Sequence, residues 1–512
     1  MIKRLPWTLS FLSGILLFFS FPRQDLGALA WVALVPLLWA LDSQTPRKSF
    51  GLAYLTGLVF FLGTVHWVTN TMTRYGGMPP ALSYPVMFLL VAYLALYFGF
   101  FGLLLSFLRS RLNAHPVWLL APIIWCALEF VRTHALSGFP WAALGYSQYR
   151  YLPVIQIADV TGVAGVSFLL VLVNASIAEI IRAFGNREPI RTWGIPALTA
   201  VLSVVLTLSY GAFRISQDSA ATGGTIRTGV VQANIPQDVK WDDAFREETI
   251  SRYERLTRGL FSEEAELIIW PEAAMPFLLE ENPAFRKRVA GLAREGKTPL
   301  LVGSPALVRN TDDIKLTNSA YLLSGEGKTL GRYDKIHLVP FGEYIPFSSI
   351  LFFIEKMVEG IGDFIPGREY TLLEIPPGRI GTVICYEVIF PGLVRKIVRE
   401  GADLMTTITN DAWFGDSSAP DQHFSMVVFR AVENRISFAR AANTGISGFI
   451  DRTGRILQSS PTFVMAAMAE DLPLRTQTTV FTRFGDFFSI LCVIISVVLT
   501  GLIIMNQTRK ES

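Results

Sequence analysis

Gly381-Thr382-Val383-Ile384-Cys385-Tyr386-Glu387 is the stretch whose reading decides the fold of the C-terminal half of this chain. A β-branched run ends abruptly at a cysteine and a helical pattern opens a few residues later, so Cys385 stands at a strand end on a tight turn. The backbone N–H groups of such a turn lie beside the side chain, which suits a nucleophile whose reaction passes through an oxyanion. The other reading of the same residue is a small buried hydrophobe.

Upstream of this stretch, Leu267-Ile268-Ile269-Trp270 reads as a short buried strand, and Pro271 ends it, leaving Glu272 just beyond. A first strand is expected at 226–232, helices at 245–261 and 283–295, a strand at 300–303, and a hairpin of 319–323 with 330–333 across Gly325-Glu326-Gly327. Lys335 follows that hairpin. Downstream come a helix at 392–400, a strand at 403–409 ending in Asn410-Asp411-Ala412-Trp413-Phe414-Gly415, a helix at 422–433, and strands at 437–441, 447–450 and 456–457. Alternating strands and helices with frequent hairpins indicate a layered α/β domain with mixed sheets.

Glu272, Lys335 and Cys385 each follow a strand, and strand ends on one edge of a sheet bring distant residues together. The set suits acyl transfer. The carboxylate can take the thiol proton and later return it to a leaving group. The ammonium is expected to lower the thiol pKa and, with the N–H of Tyr386, to stabilise a tetrahedral oxyanion. Taken singly, Glu272 also reads as a surface carboxylate and Lys335 as a solvated charge.

The first half of the chain is of another kind. The 512 residues are 51% hydrophobic and only 17% charged, with a mean hydropathy of +0.40, whereas soluble domains carry about 25% charged residues. Long apolar runs at 8–21, 26–41, 50–70, 81–108, 117–131, 162–183, 193–213 and 487–505 give about eight candidate spans, the first two short. The Met1–Arg4 start followed by an apolar stretch lacks a clear cleavage site and reads as a retained first helix. The expected domains are therefore 1–220 in the membrane with about seven helices, 221–480 as a catalytic domain outside it, and 481–512 as a returning helix and tail.

Arg47 and Lys48, Arg109 and Arg111, and Arg182, Arg187 and Arg191 fall on the same side as Lys3, Arg4, Arg509 and Lys510. The opposite loops carry less, so both termini are expected in the cytoplasm and the insert outside, on the periplasmic face of a bacterial inner membrane. Trp67, Trp141, Tyr146, Tyr149 and Tyr151 sit at outer helix ends, as an interfacial belt does, and His66 and Asn70 either cap a helix there or line a cavity. Of the three cysteines, Cys126 and Cys492 fall in spans, which leaves Cys385 unpaired in an oxidising compartment. The net charge of +3 and the lack of a basic stripe exclude nucleic acid as a partner. His337 and His423 have no ligand-spaced partner, so no metal or other cofactor is expected.

Trp270-Pro271-Glu272, Tyr333-Asp334-Lys335-Ile336-His337-Leu338-Val339-Pro340-Phe341-Gly342-Glu343 and Cys385-Tyr386-Glu387 resemble the glutamate, lysine and cysteine motifs of the nitrilase superfamily. Asn410 to Gly415 and Arg440-Ala441-Ala442-Asn443-Thr444-Gly445 extend the match, and the order of spans and insert resembles the bacterial apolipoprotein N-acyltransferase family end to end. The resemblance implies an αββα sandwich with Glu272 as base, Lys335 as oxyanion stabiliser and Cys385 as nucleophile. It implies a ping-pong transfer: Cys385 takes the sn-1 acyl chain of a phospholipid as a thioester, and the N-terminal amine of an S-diacylglyceryl-cysteine apolipoprotein then attacks it. It further implies roles for Glu343, Tyr386, Glu387 and Trp241, and a monomer is expected. For Glu387 a structural ion pair is an equal alternative. The run Leu351-Phe352-Phe353-Ile354 reads either as an arm dipping into lipid or as ordinary core.

The nearest rival is a membrane-anchored amidase or nitrile hydrolase using the same residues with water as the second nucleophile. One span would anchor such an enzyme, whereas about eight favour handling lipid. A transporter would need charges within its spans, and Glu129 and Glu179, both near span ends, are the main ones.

Overall fold

The computed structural model of the chain describes residues 4–112, 117–219, 223–275, 277–310, 313–344 and 364–511. The run 351–354 lies outside the described residues. The chain divides into two compact units: Met1–Val68, Ala81–Gln217 and Phe484–Ser512 form one, and Thr69–Pro80 with Asp218–Arg483 form the other.

Six helices of the first unit are long and apolar enough to cross a membrane, among the described residues: Pro46–Val65, Pro80–Arg111, Trp118–Ser137, Val163–Gly185, Ile190–Asp218 and Phe487–Gln507. The first two expected spans are shorter than a crossing. Leu5–Phe19 has 15 residues, about 22 Å at 1.5 Å per residue against a hydrocarbon core of about 30 Å. The second is broken into Gly27–Trp31 and Val35–Ala40, with a proline opening the second piece. A break frees backbone groups that lipid cannot satisfy, and Asn174 satisfies two of them. Its Oδ1 accepts from Leu34 N at 2.8 Å, and its Nδ2 donates to Ala30 O at 2.8 Å.

Among the described residues the second unit contains twelve strands: β1 (Thr225–Gln232), β2 (Leu267–Ile269), β3 (Leu300–Asn310), β4 (Asp313–Leu323), β5 (Thr329–Asp334), β6 (Leu372–Ile375), β7 (Gly378–Ile384), β8 (Leu404–Thr409), β9 (Phe438–Ala442), β10 (Gly448–Ile450), β11 (Ile456–Ser459) and β12 (Ala466–Pro473). They form two six-stranded sheets, ordered β12-β1-β2-β3-β4-β5 and β11-β10-β9-β8-β7-β6. Both are mixed: β1, β2 and β3 run parallel, as do β7, β8 and β9, with antiparallel strands at the flanks. The sheets face each other through β1 with β9 and β4 with β7. Helices Arg246–Gly259 and Pro283–Gly296 cover the outer face of the first sheet, and Pro391–Arg399 and Ala419–Asn434 cover the second, giving the αββα layering.

Ile250, Tyr253, Val289 and Leu292 from the first pair of helices pack on Val231, Ile268, Trp270 and Val302 of the sheet. Trp270 stacks on Tyr253 with centroids 4.8 Å apart, and its Nε1 donates to Thr257 Oγ1 at 2.9 Å. That anchorage fixes where the chain leaves β2, and so where Glu272 emerges.

β3 and β4 run well past the strands expected at 300–303 and 319–323, and Pro305 pairs opposite Asn318. β2 reaches only as far as Leu301 on β3, so this half of β3 has a free side where a missing N–H costs nothing. Asn70 makes no side-chain capping bond at the start of Thr71–Tyr75. Its Nδ2 donates to Phe414 O at 3.5 Å, beside Thr71 Oγ1 donating to Trp413 O at 3.0 Å.

Candidate active site

Glu272 leaves β2 in the turn enforced by Pro271, and the turn lies directly on β3. A Cβ at Gly303 would fall 2.8 Å from Glu272 Cα and 2.8 Å from Ala273 N, so only glycine admits this approach. Lys335 follows β5 and Cys385 follows β7. Cys385 has φ of 53°, a left-handed conformation that side-chain-bearing residues avoid and that turns its thiol out of the strand line.

The three side chains converge in a buried site. Lys335 Nζ is 3.6 Å from Glu272 Oε1 and 2.9 Å from both oxygens of Glu343. Asn318 Nδ2 donates to Glu272 Oε1 at 2.7 Å and to Glu343 Oε1 at 3.0 Å, tying the two carboxylates together. Glu272 Oε2 accepts from Asn410 N at 2.9 Å. Glu343 Oε2 accepts from Val339 N at 2.7 Å. Burial alone would depress the Lys335 ammonium, but Glu343, Glu272 and Cys385 outweigh it and hold the group well above the usual lysine range. It is a permanent cation.

The thiol behaves otherwise than the sequence suggests. Burial, seconded by Glu272, pushes Cys385 up despite the opposing charge of Lys335. The resting residue is therefore a thiol, so a nucleophilic role for it would need a base to remove its proton.

Among the described residues Glu387 makes no ion pair. Its Oε1 accepts from Ile336 N at 2.7 Å and His337 N at 3.0 Å, its Oε2 from Ile384 N at 2.7 Å, and Tyr333 Oη donates to both oxygens at 3.0 Å. It binds the cysteine turn to the segment that carries Lys335. Burial pushes its carboxyl up to about 7, with the backbone donors of Ile384 and His337 pulling the other way. Tyr386 is half-buried, packing edge-on against Phe390 at 5.2 Å. Trp241 lies half-exposed on the turn 237–241.

Several site residues escaped sequence reasoning. Asn318 looks like any polar strand residue. Lys240, beside Trp241, is 2% exposed, and its Nζ donates to Glu272 O at 3.1 Å. Beneath the cysteine turn, Asp411 Oδ2 accepts from Arg440 Nη2 at 2.7 Å, and Arg440 Nη2 also reaches His423 Nδ1 at 3.0 Å. His423 Nε2 lies 3.2 Å from Cys385 O, a carbonyl that can only accept, so the proton sits on Nε2. Burial, then Arg440, depresses His423, and the imidazole is neutral. Burial would raise the Asp411 carboxyl, but the Arg440 guanidinium, with Thr409 Oγ1 donating to Oδ1 at 2.8 Å, holds it well below the usual range.

Two outcomes follow from these buried charges. Arg440→Met leaves Asp411 uncompensated, for an expected loss of about 3–5 kcal/mol. Thermal melting of the purified protein reads this, and Asp411→Asn added to Arg440→Met should recover much of it; a melting point unchanged in Arg440→Met would refute the pairing. Burial depresses Lys240 to about 8, against the pull of Glu272 and Cys385. Between that value and the ordinary lysine range of about 10.5, the unfolded chain binds the extra proton, so stability rises with pH across this window. Lys240→Met should flatten that rise in melting scans at pH 8–10; an unchanged slope would show that Lys240 does not titrate there.

The architecture and the cysteine turn are those of a carbon–nitrogen hydrolase domain, and residues 227–476 match the family model described as carbon-nitrogen hydrolase. Residues 13–176 match the model described as apolipoprotein N-acyltransferase N-terminal domain. An apolipoprotein N-acyltransferase of Geobacter metallireducens is 45% identical over 96% of this chain and 94% of its own. Those of Chlorobaculum tepidum and Photobacterium profundum are 33% and 32% identical, over 96% and 95% of this chain and 96% and 93% of theirs. A solved amidase from Nesterenkonia sp. is 22% identical over 49% of this chain and 92% of that one, with a TM-score of 0.38. The chain belongs to the apolipoprotein N-acyltransferase family.

Proposed function

We propose that this protein transfers the sn-1 acyl chain of a phospholipid to the N-terminal amine of an S-diacylglyceryl-cysteine apolipoprotein, through a thioester on Cys385. The observation that carries the reading is the buried convergence of Glu272 and Lys335 on an up-shifted thiol, in a chain that also has six span-length helices among the described residues.

Glu272 takes the Cys385 proton as sulfur attacks the ester carbonyl. The oxyanion forms against Lys335 and the N–H of Tyr386. Collapse breaks the ester C–O bond, and Glu272 returns the proton to the departing lysophospholipid. In the second half, the amine attacks the thioester carbonyl, Glu272 takes the amine proton, and collapse expels the Cys385 sulfur, which regains it. Glu343 holds Lys335, Glu387 holds the cysteine turn, and Trp241 contacts an acyl chain. One chain supplies every residue named, so a monomer suffices. The catalytic unit faces the periplasm from the inner membrane, with both termini cytoplasmic, in keeping with the positive-charge bias of the loops. Buried apolar surroundings keep water from a thioester that waits for an amine.

The test supplies purified protein with a phospholipid and a synthetic diacylglyceryl-cysteine peptide. Peptide gaining one acyl mass as a hydroxylamine-stable amide supports the reading. Release of free fatty acid with no acylated peptide would favour the hydrolase instead.

A further inference from the structure

His423 is buried on the helix Ala419–Asn434 and takes no part in the proton transfers described above. Its Nε2 donates to Cys385 O at 3.2 Å. The peptide bond from Cys385 to Tyr386 is trans, and a trans peptide is planar, so the Cys385 carbonyl and the Tyr386 N–H are opposite ends of one rigid plate. Pinning the oxygen therefore fixes the direction in which the N–H points. A donor on the oxygen also polarises the amide, which strengthens its N–H as a donor at the other end. Glu387 holds the cysteine turn through Ile336, His337, Ile384 and Tyr333, and none of those bonds reaches this plate. A carbonyl has two lone pairs, so the imidazole adds to whatever the turn Cys385–Ile389 asks of the same oxygen.

The plate needs such fixing. Cys385 sits at a φ of 53°, which residues with side chains keep only where their surroundings over-determine it. The imidazole is itself held from behind. Arg440, on β9, donates from Nη2 to His423 Nδ1 at 3.0 Å. Arginine has donors only, so Nδ1 accepts and the proton stays on Nε2, facing Cys385 O. Asp411 Oδ1 stands 3.2 Å from the same Nδ1, but it already accepts from Thr409 Oγ1 at 2.8 Å. We propose that His423 is a positioning residue for acyl transfer, which through the Cys385 carbonyl aims the Tyr386 N–H at the oxyanion. The inference rests on the thioester mechanism above and adds to it a residue that never touches substrate.

The test compares His423→Asn, His423→Met and His423→Gln in full-length protein in detergent. Asparagine keeps an acceptor near Nδ1 for Arg440 and has no group that reaches Cys385 O. Methionine fills the length of the imidazole with no donor, and carries the test if the asparagine variant fails to fold. Glutamine brings an N–H back to the place of Nε2. Methionine and glutamine lose the Nδ1 acceptor alike, so they differ only in the donor. Thioester formation from phospholipid should slow about 10–100-fold in His423→Asn and His423→Met, short of the 10²–10³-fold cost of losing an oxyanion donor outright. The half-saturating phospholipid concentration should not move, because the bond acts as the oxyanion forms. His423→Gln should return to within about fivefold of the unaltered protein. Iodoacetamide reacts with Cys385 by displacement at a saturated carbon and forms no oxyanion, so all of the variants should alkylate at the unaltered rate. With an isotope-labelled acyl carbonyl, the thioester C=O stretch should lie lower in the unaltered protein and His423→Gln than in the donor-less variants. Alkylation and acyl transfer falling together, or glutamine rescuing no better than methionine, would mean a merely structural histidine and overturn the proposal. Thioester formation at one rate in the unaltered protein and every variant would overturn the proposal and leave the mechanism standing. No thioester on the unaltered protein would overturn both.

Discussion

Cys385→Ala is expected to form no fatty-acyl adduct with phospholipid and to lose N-acylation by about 10⁶-fold, the scale on which acyl-transfer enzymes depend on their nucleophile. The substitution is a clean one. The φ of 53° is set by the turn rather than by the thiol, and alanine tolerates it as cysteine does. The bonds that hold the turn run from Glu387 to Ile336, His337, Ile384 and Tyr333, and from His423 to the Cys385 carbonyl. None of them uses sulfur, so the fold should survive and the melting point should stay near that of the unaltered protein. Intact mass before and after hydroxylamine reads the adduct directly. Persistence of a hydroxylamine-labile adduct in Cys385→Ala would move the nucleophile elsewhere and sink the mechanism.

What could be seen in the sequence followed from local rules. Pro271 had to end a strand, which put Glu272 beyond it, and a β-branched run ending at Cys385 had to turn. Mixed sheets were legible from hairpins among alternating helices. The unreadable parts depend on contacts between distant segments. Asn318 matters because β3 and β4 extend beyond their predicted ends and bring it to two carboxylates. Asp411, His423 and Arg440 form a network only after a strand end, a helix and another strand have packed. β12 was missed because Ala466-Ala467-Met468-Ala469 has weak strand preference, and its place comes from eight residues paired with β1. The thiol was misjudged because proximity of a lysine was weighed without burial, which acts first on Cys385.

Glu272→Gln has two separable effects. With the carboxylate in the proposed role of base in both half-reactions, thioester formation and the attack of the amine on a preformed thioester should each slow by about 10²–10⁴-fold. The shape is preserved, but the amide presents N–H donors where Asn318 Nδ2 and Asn410 N already donate, so one of those bonds is lost. The same carboxylate also raises the thiol, because a second negative charge beside it disfavours the thiolate. Removing it should therefore let Cys385 ionise at lower pH. Alkylation by iodoacetamide, followed by intact mass across pH 7–10, should then run faster in Glu272→Gln than in the unaltered protein at each pH while acyl transfer runs slower. A purely structural role for Glu272 predicts no such divergence, since a loosened site would move both rates together. If acyl transfer stays within about tenfold of the unaltered protein, Glu272 is not the base.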